Sequence, residues 1–206
     1  MFSRYNSWLM DNDEFNNIVK IASACSDDVI YEKLASTPRA IRTIIHKDYL
    51  HKYGYDVFKL VEKSIMQDMI TFHDTDKLIC YVAGVPHDNV KVLHRNIARH
   101  HILNIYDKNV MRERILDWDI SAYTKTDTPL NAYHFLLLKS QKLKLSDYAD
   151  LLKEGSLWKA PNINPLTEQE YNTLVKNVDL ETAVKNVKDG IAYHNGLLSE
   201  LLNIQK

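Results

Sequence analysis

The sequence predicts an all-α fold, and three observations lead to it. Apolar residues recur mostly at steps of three and four, the spacing of one face of a helix. Strand-like alternation is scarce. The 206 residues include only five Gly and five Pro, too few for a turn-rich all-β architecture. The length suits one good core with an appended segment, and eight to ten helices are expected.

Taken in order, the residues before about position 40 are expected to form helices that pack on the core. In YDVFKLVEKSIMQDMITF, the residues Val57, Leu60, Val61, Ile65, Met69 and Phe72 fall on one stripe. In NVMRERILDWDISAY, Ile115, Trp118 and Ala122 share a side. AYHFLLLKSQKLKL is helical in composition, and Ser146 or Asp147 is placed to cap a short helix through about Lys153. From about Asp179 to Leu202, Val184, Val187, Ile191, Leu198 and Leu201 recur with few breakers. Breaks are expected at Thr37-Pro38, Gly84–Asn89, Thr124–Pro129 and Ala160–Pro165. The last, APNINP, is the best boundary, giving N-terminal helices over 1–40, a core domain over 41–158 and a C-terminal helical extension over 159–206.

Charge and composition narrow the function classes. With 26 basic and 27 acidic residues there is no global field to attract nucleic acid or an anionic membrane. Hydrophobic residues at 45% and charged residues at 26% match a soluble globular protein. Cys25 and Cys80 fit no metal or redox spacing and read as buried thiols of a reducing compartment. MFSRYNSWLMDNDEF lacks the charged leader and apolar run of a signal peptide, and no segment approaches a membrane span. A cytoplasmic location is the expectation.

The histidines are unevenly placed: His46, His51, His73, His87, His94, His100 and His101 all lie between residues 46 and 101. Clustered His and Asp is the ligand mixture that Mn, Fe, Zn, Ni and Co accept. On a helix running through HRNIARHH, His94 and His101, seven apart, share a face, with His100 about a third of a turn away. Glu113 and Asp117, four apart, share another. His51 and His87 are left to hydrogen-bonded roles.

Read along the chain, His46, His73-Asp74, His94, His100-His101 and Asp117 resemble the HD superfamily of metal-dependent phosphohydrolases. HDTDK at His73–Lys77 resembles that family's HD-x-G-K or HD-x-S-K. The finer pattern is closer to a group of short bacterial and phage HD-like proteins with HK, HD-x-S-K, H…HH and E-x-x-x-DW elements. They match here at His46, His73, His94 and Glu113, and cover about residues 41 to 125.

The resemblance implies an HD-like helical core and one or two divalent ions, with Mn, Fe, Mg, Ni, Co and Zn all open. It implies His46, His73, Asp74, His94, His101 and Asp117 as ligands, and metal-activated water attacking a nucleotide or other small phosphoester. Asp74 and Lys77 would carry catalysis, Lys77 as a phosphate contact. His100 and Glu113 would lie around the ligands, and Arg95 and Arg99 would contact substrate. Asp119 competes with Asp117, and His51 with His46, although the motif matches favour Asp117 and His46. Asp76 departs from the pattern, standing where Gly or Ser is preferred. It would weaken phosphate binding, contact metal or water, or face solvent. The same ligand set also resembles HD-fold di-iron oxygenases, and a non-catalytic nucleotide-binding or partner-binding protein is a third reading. The C-terminal helices, with Trp158, Tyr171 and Tyr193, leave open an oligomer or partner interface.

Overall fold

Each of the first three helices begins where a local group satisfies or removes an orphan N–H. In the computed structural model, which describes residues 5–58, 61–124, 130–139, 141–143, 145–155 and 166–204, α1 (Asp13–Ser23) starts at Asn12. The Asn12 side chain accepts from the Phe15 N–H at 2.8 Å. Ser26 caps α2 (Asp27–Ser36) in the same way through Val29. Helix α3 (Pro38–Val57) opens on Pro38, where a missing N–H costs nothing.

The remaining helices are α4 (Lys63–Phe72), α5 (Thr75–Val82), α6 (His87–Ile97), α7 (Lys108–Thr124), α8 (Ala132–Leu138), α9 (Leu145–Glu154), α10 (Glu168–Lys176) and α11 (Leu180–Ile204). A 3-10 turn, Arg99–His101, joins α6 to α7. The fold is all-α: the described residues contain no strand, only one isolated bridge between Trp8 and Ala98. No described helix is long and apolar enough to cross a membrane.

Two elements differ from expectation. The stripe from Val57 to Phe72 is not one helix, because α3 ends at Val57 and α4 starts at Lys63. Leu60 and the APNINP boundary lie outside the described residues. HRNIARHH is not one helix either. Ala98 turns extended (ψ 115°) because the N-terminal segment pairs with it: Leu9 N–H donates to the Ile97 carbonyl and Arg99 N–H to the Ser7 carbonyl. Cys80 is buried, whereas Cys25 is only half-buried.

Two hydrophobic clusters build the core. One gathers Trp8, Phe15, Leu34, Leu78, Leu93 and Val187; the other gathers Leu50, Met69, Ile115, Trp118, Leu136 and Tyr148. Helix α3 feeds both, through Ile44 and Leu50, and packs against α7. Helix α7 is buried over most of its length, and Glu113, Arg114 and Asp119 lie inside the molecule.

Helix α11 packs on α2 and α5. Its Gly190 is required by close approach, since a Cβ there would lie 2.5 Å from Thr75 Cγ2. His194 pins α11 to the N-terminal segment, accepting from Trp8 Nε1 at 3.1 Å and donating to Asn16 Oδ1 at 2.8 Å. Burial pushes its pKa down to about 4, below the ordinary 6.5 of an unfolded chain. Between those values the unfolded state binds the extra proton, so this contribution is complete above pH 6.5 and is lost as pH falls toward 4. Urea denaturation at pH 7 and pH 5 is expected to show about 1–2 kcal/mol more acid loss in the parent than in His194→Gln. An equal loss in both proteins would rule the contribution out.

Candidate metal centre

The His73-Asp74 pair sits in the turn between α4 and α5. Asp74 has φ 56°, the only described non-glycine residue with positive φ. Asp and Asn tolerate this left-handed region better than other side chains. The turn is clamped from behind. Lys47 Nζ donates to the carbonyls of Thr71 (2.9 Å) and His73 (2.5 Å) and to Thr75 Oγ1 (2.9 Å). Asn186 of α11 donates to the Thr71 carbonyl and accepts from Thr75 Oγ1, each at 2.8 Å. These bonds offset the backbone strain and fix where Asp74 points.

Three imidazoles are tied outward at Nδ1 and turned inward at Nε2. Thr124 donates its hydroxyl to the Ile120 carbonyl, so its oxygen accepts from His46 Nδ1 at 3.1 Å. Glu113 Oε1 accepts from His73 Nδ1 at 3.0 Å, and Asp76 Oδ2 accepts from His94 Nδ1 at 2.6 Å. Such outer bonds set which ring nitrogen keeps a lone pair for a metal.

The inward atoms converge on two carboxylates. His46 Nε2 lies 3.3 Å from Asp117 Oδ1, and His73 Nε2 lies 3.7 Å from both Asp117 Oδ1 and Asp74 Oδ1. His94 Nε2 is 3.3 Å and His100 Nε2 3.9 Å from Asp74 Oδ1. Among the described residues, these four Nε2 atoms and Asp74 Oδ1 are buried without a hydrogen-bond partner. Buried polar atoms are rarely left so, and five of them grouped around Asp74 and Asp117 suit a cation.

Four groups of three can offer ligand atoms within 4.8 Å of one another: His46, His73, Asp117; His73, Asp74, His100; Asp74, Asp76, His94; and His94, His100, His101. The all-nitrogen and carboxylate donors suit divalent transition metals or Mn.

The protonation states follow from the same neighbours. Burial opposes the Asp74 charge, but Lys77, His73, His94 and His46 overcome it and hold the carboxyl well below its usual range. Glu113, likewise buried, is brought down to about 2 by His100 and His73. Burial lowers His46 and His94, and burial with His100 and His94 lowers His101, so all three favour the neutral ligand form. His73 is the exception: burial lowers it, but Asp74, Asp117 and Glu113 raise it to about 10. Ligation there must displace a proton.

The expected residues are distributed as follows. His46, Asp74, Lys77, His94, His101, Asp117 and Arg95 line one cavity of about 450 Å³. His73, His100 and Glu113 lie buried beneath it. With the helix broken at Ala98, His100 turns inward toward Asp74, while His101 faces the cavity. Arg99 lies apart, its Nη1 donating to the Asn6 carbonyl at 3.1 Å. Asp119 is buried away from the cavity at the α8 side, its pKa raised to about 6 by burial. His51 is exposed, and exposed His87 bonds the Tyr81 hydroxyl at 2.9 Å. Asp76 is buried, not at the surface, and holds His94. Arg114 fixes the turn that carries His100, donating to the carbonyls of His100 (2.6 Å) and Ile102 (2.8 Å).

Lys47, Thr124, Asn186 and Tyr5 escaped the sequence reading. Tyr5 donates its hydroxyl to Glu113 Oε2, linking the N-terminal segment to His73. Tyr5→Phe is expected to weaken metal binding about three- to tenfold, less than loss of a direct orienting partner, and to cost about 1 kcal/mol of stability. Chelator competition measures the first effect; an unchanged affinity would confine Tyr5 to holding the N-terminus. No family model, curated protein or solved structure matches the chain.

Proposed function

We propose that the chain is an HD-type, metal-dependent phosphohydrolase that holds one or two divalent ions and acts on a nucleotide or other small phosphoester. The observation that carries this reading is the convergence of the His46, His73, His94 and His100 Nε2 atoms on Asp74 and Asp117 beneath a cavity with basic walls. A divalent ion bound there supplies Lewis acidity toward a phosphoryl oxygen and lowers the pKa of water toward neutrality.

The chain's own residues do the rest. Asp76, Glu113 and Thr124 keep the imidazoles in the ligand tautomer. Lys77 spends one N–H on Asp74 Oδ2, at 2.8 Å, and its partly exposed ammonium keeps two more for a phosphate oxygen in the cavity. Neutral His101 at the cavity wall adds a further polar contact to substrate or metal.

The test is elemental analysis of protein purified without added metal, followed by a phosphoester screen with Mn2+, Mg2+, Fe2+ and Ni2+. Bound metal and metal-dependent phosphate release are expected. Iron with O2-dependent turnover would assign the site to oxygenase chemistry, and tight nucleotide retention without turnover would assign it to binding.

A further inference from the structure

We infer that the cavity behind the His73-Asp74 turn, between α3 and α11, is a second ligand site that takes a small organic cation with an apolar body and acts on the metal centre through Lys47 and Asn186. Nothing in this site depends on the phosphohydrolase reading. Its volume is about 560 Å³, within the roughly 300–1,000 Å³ of small-molecule clefts. Four buried aliphatic side chains line it, Ile44 of α3, Ile70 of α4, Leu78 of α5 and Ala183 of α11. Close-packed interiors seldom leave such a gap between helices, and this floor gives an apolar ligand body surface to bury.

The polar rim sets the sign of the ligand's charge. Its three lysines are already committed. Lys47 directs its Nζ to Thr71, His73 and Thr75, Lys185 pairs with Asp189 at 2.8 Å, and Lys52 lays its Nζ over the Tyr53 ring at 5.1 Å. His51, also on the rim, packs edge-on against Tyr55. Asp48 stands four residues before Lys52 on α3, the spacing of a helical ion pair. Its side chain nevertheless makes no hydrogen bond or ion pair with a described residue. The Asp179 carboxylate adds a second negative charge that acts on Asp48, and it is bonded by neutral donors, the Thr182 N–H and hydroxyl. An anionic ligand would be repelled here and a neutral one would leave Asp48 unanswered. An ammonium group at the Asp48 and Asp179 end supplies the charge that both lack.

Lys47 and Asn186 line this cavity and also hold the turn, since both donate to the Thr71 carbonyl. A ligand packed against them restricts the two side chains to the geometry that fixes Asp74. Binding behind the turn therefore favours metal ligation in front of it, and by linkage metal strengthens ligand binding by the same factor.

The test titrates the full chain, metal-loaded and metal-free, with hexylamine, hexanol and hexanoate, which share one apolar chain and differ in charge, and follows binding by NMR. The parent and Asp48→Asn are compared; Asp48 is exposed, so folding is retained, and circular dichroism checks it. The parent is expected to bind hexylamine at least about fivefold more tightly than hexanol, with hexanoate weakest. Asp48→Asn is expected to lose about threefold of its hexylamine affinity and none of its hexanol affinity. Saturating hexylamine is expected to tighten metal binding at least about threefold in chelator competition, and to slow amide exchange across residues 71–75. Equal binding of the three probes, or unchanged hexylamine affinity in the variant, would overturn the ligand class, as would a lysine-bearing peptide that binds more tightly than the amine. Saturation with unchanged metal affinity would overturn the coupling. If the protein takes up no metal, the metal centre fails by itself, and the metal-free titration and the exchange rates still decide this site.

Discussion

Asp74→Asn protein is expected to fold and yet bind metal at least about a hundredfold more weakly than the parent chain. Even loss of an orienting partner costs ten- to a hundredfold, and Asp74 offers an oxygen to the site directly. Its Oδ1 is the buried, unpartnered atom toward which His73, His94 and His100 turn, while Oδ2 is held by Lys77. Asparagine separates chemistry from conformation, because it accepts the left-handed backbone that Asp74 adopts at φ 56°. Alanine would add a backbone cost of about 1–2 kcal/mol and blur the result. Metal per chain after gel filtration and a thermal melt give the two readouts. Full metal retention in the asparagine variant would remove Asp74 from the ligand set and, with it, the proposed mechanism.

Asp76→Ala is expected to weaken metal binding about ten- to a hundredfold, the usual scale for an orienting carboxylate. It also leaves His94 Nδ1 buried without its acceptor, a cost of about 1–3 kcal/mol in stability. Asp76→Asn keeps an oxygen within reach of Nδ1 and should recover most of both losses. A purely structural Asp76 would give a lower melting temperature with unchanged metal affinity in chelator competition. That outcome would separate Asp76 from the metal centre. The affinity loss should persist for any ion that His94 ligates, since it acts through the ring's tautomer.

The chain order of His46, His73-Asp74, His94, His100-His101 and Asp117 was legible because ligand chemistry depends on residue type and sequence position. Of their outer partners the resemblance pointed only to Glu113, and none of the pairings was legible. Asp76 meets His94 across eighteen residues, Glu113 meets His73 across forty and Thr124 meets His46 across seventy-eight. Only tertiary packing creates those pairs. The bend after Val57 was hidden for a different reason: Phe58 and Val61 both pack on the cluster that holds Leu50 and Met69, so the apolar spacing runs on through the break. The break at Ala98 is imposed by Trp8, some ninety residues earlier, which no local pattern reports. Arg39, Arg42 and Lys91 carry no local signal in the sequence, and only the fold places them around one cavity.

The double clamp on the turn is completed only late in biosynthesis. Lys47 precedes Thr71, His73 and Thr75 in synthesis, but Asn186 is made after every residue that faces the metal centre. A nascent chain thus displays its imidazoles and carboxylates before the second half of the clamp exists. A chain that has docked α11 holds the full clamp, whereas a polypeptide halted ahead of Asn186 carries the same residues on a turn held by Lys47 alone.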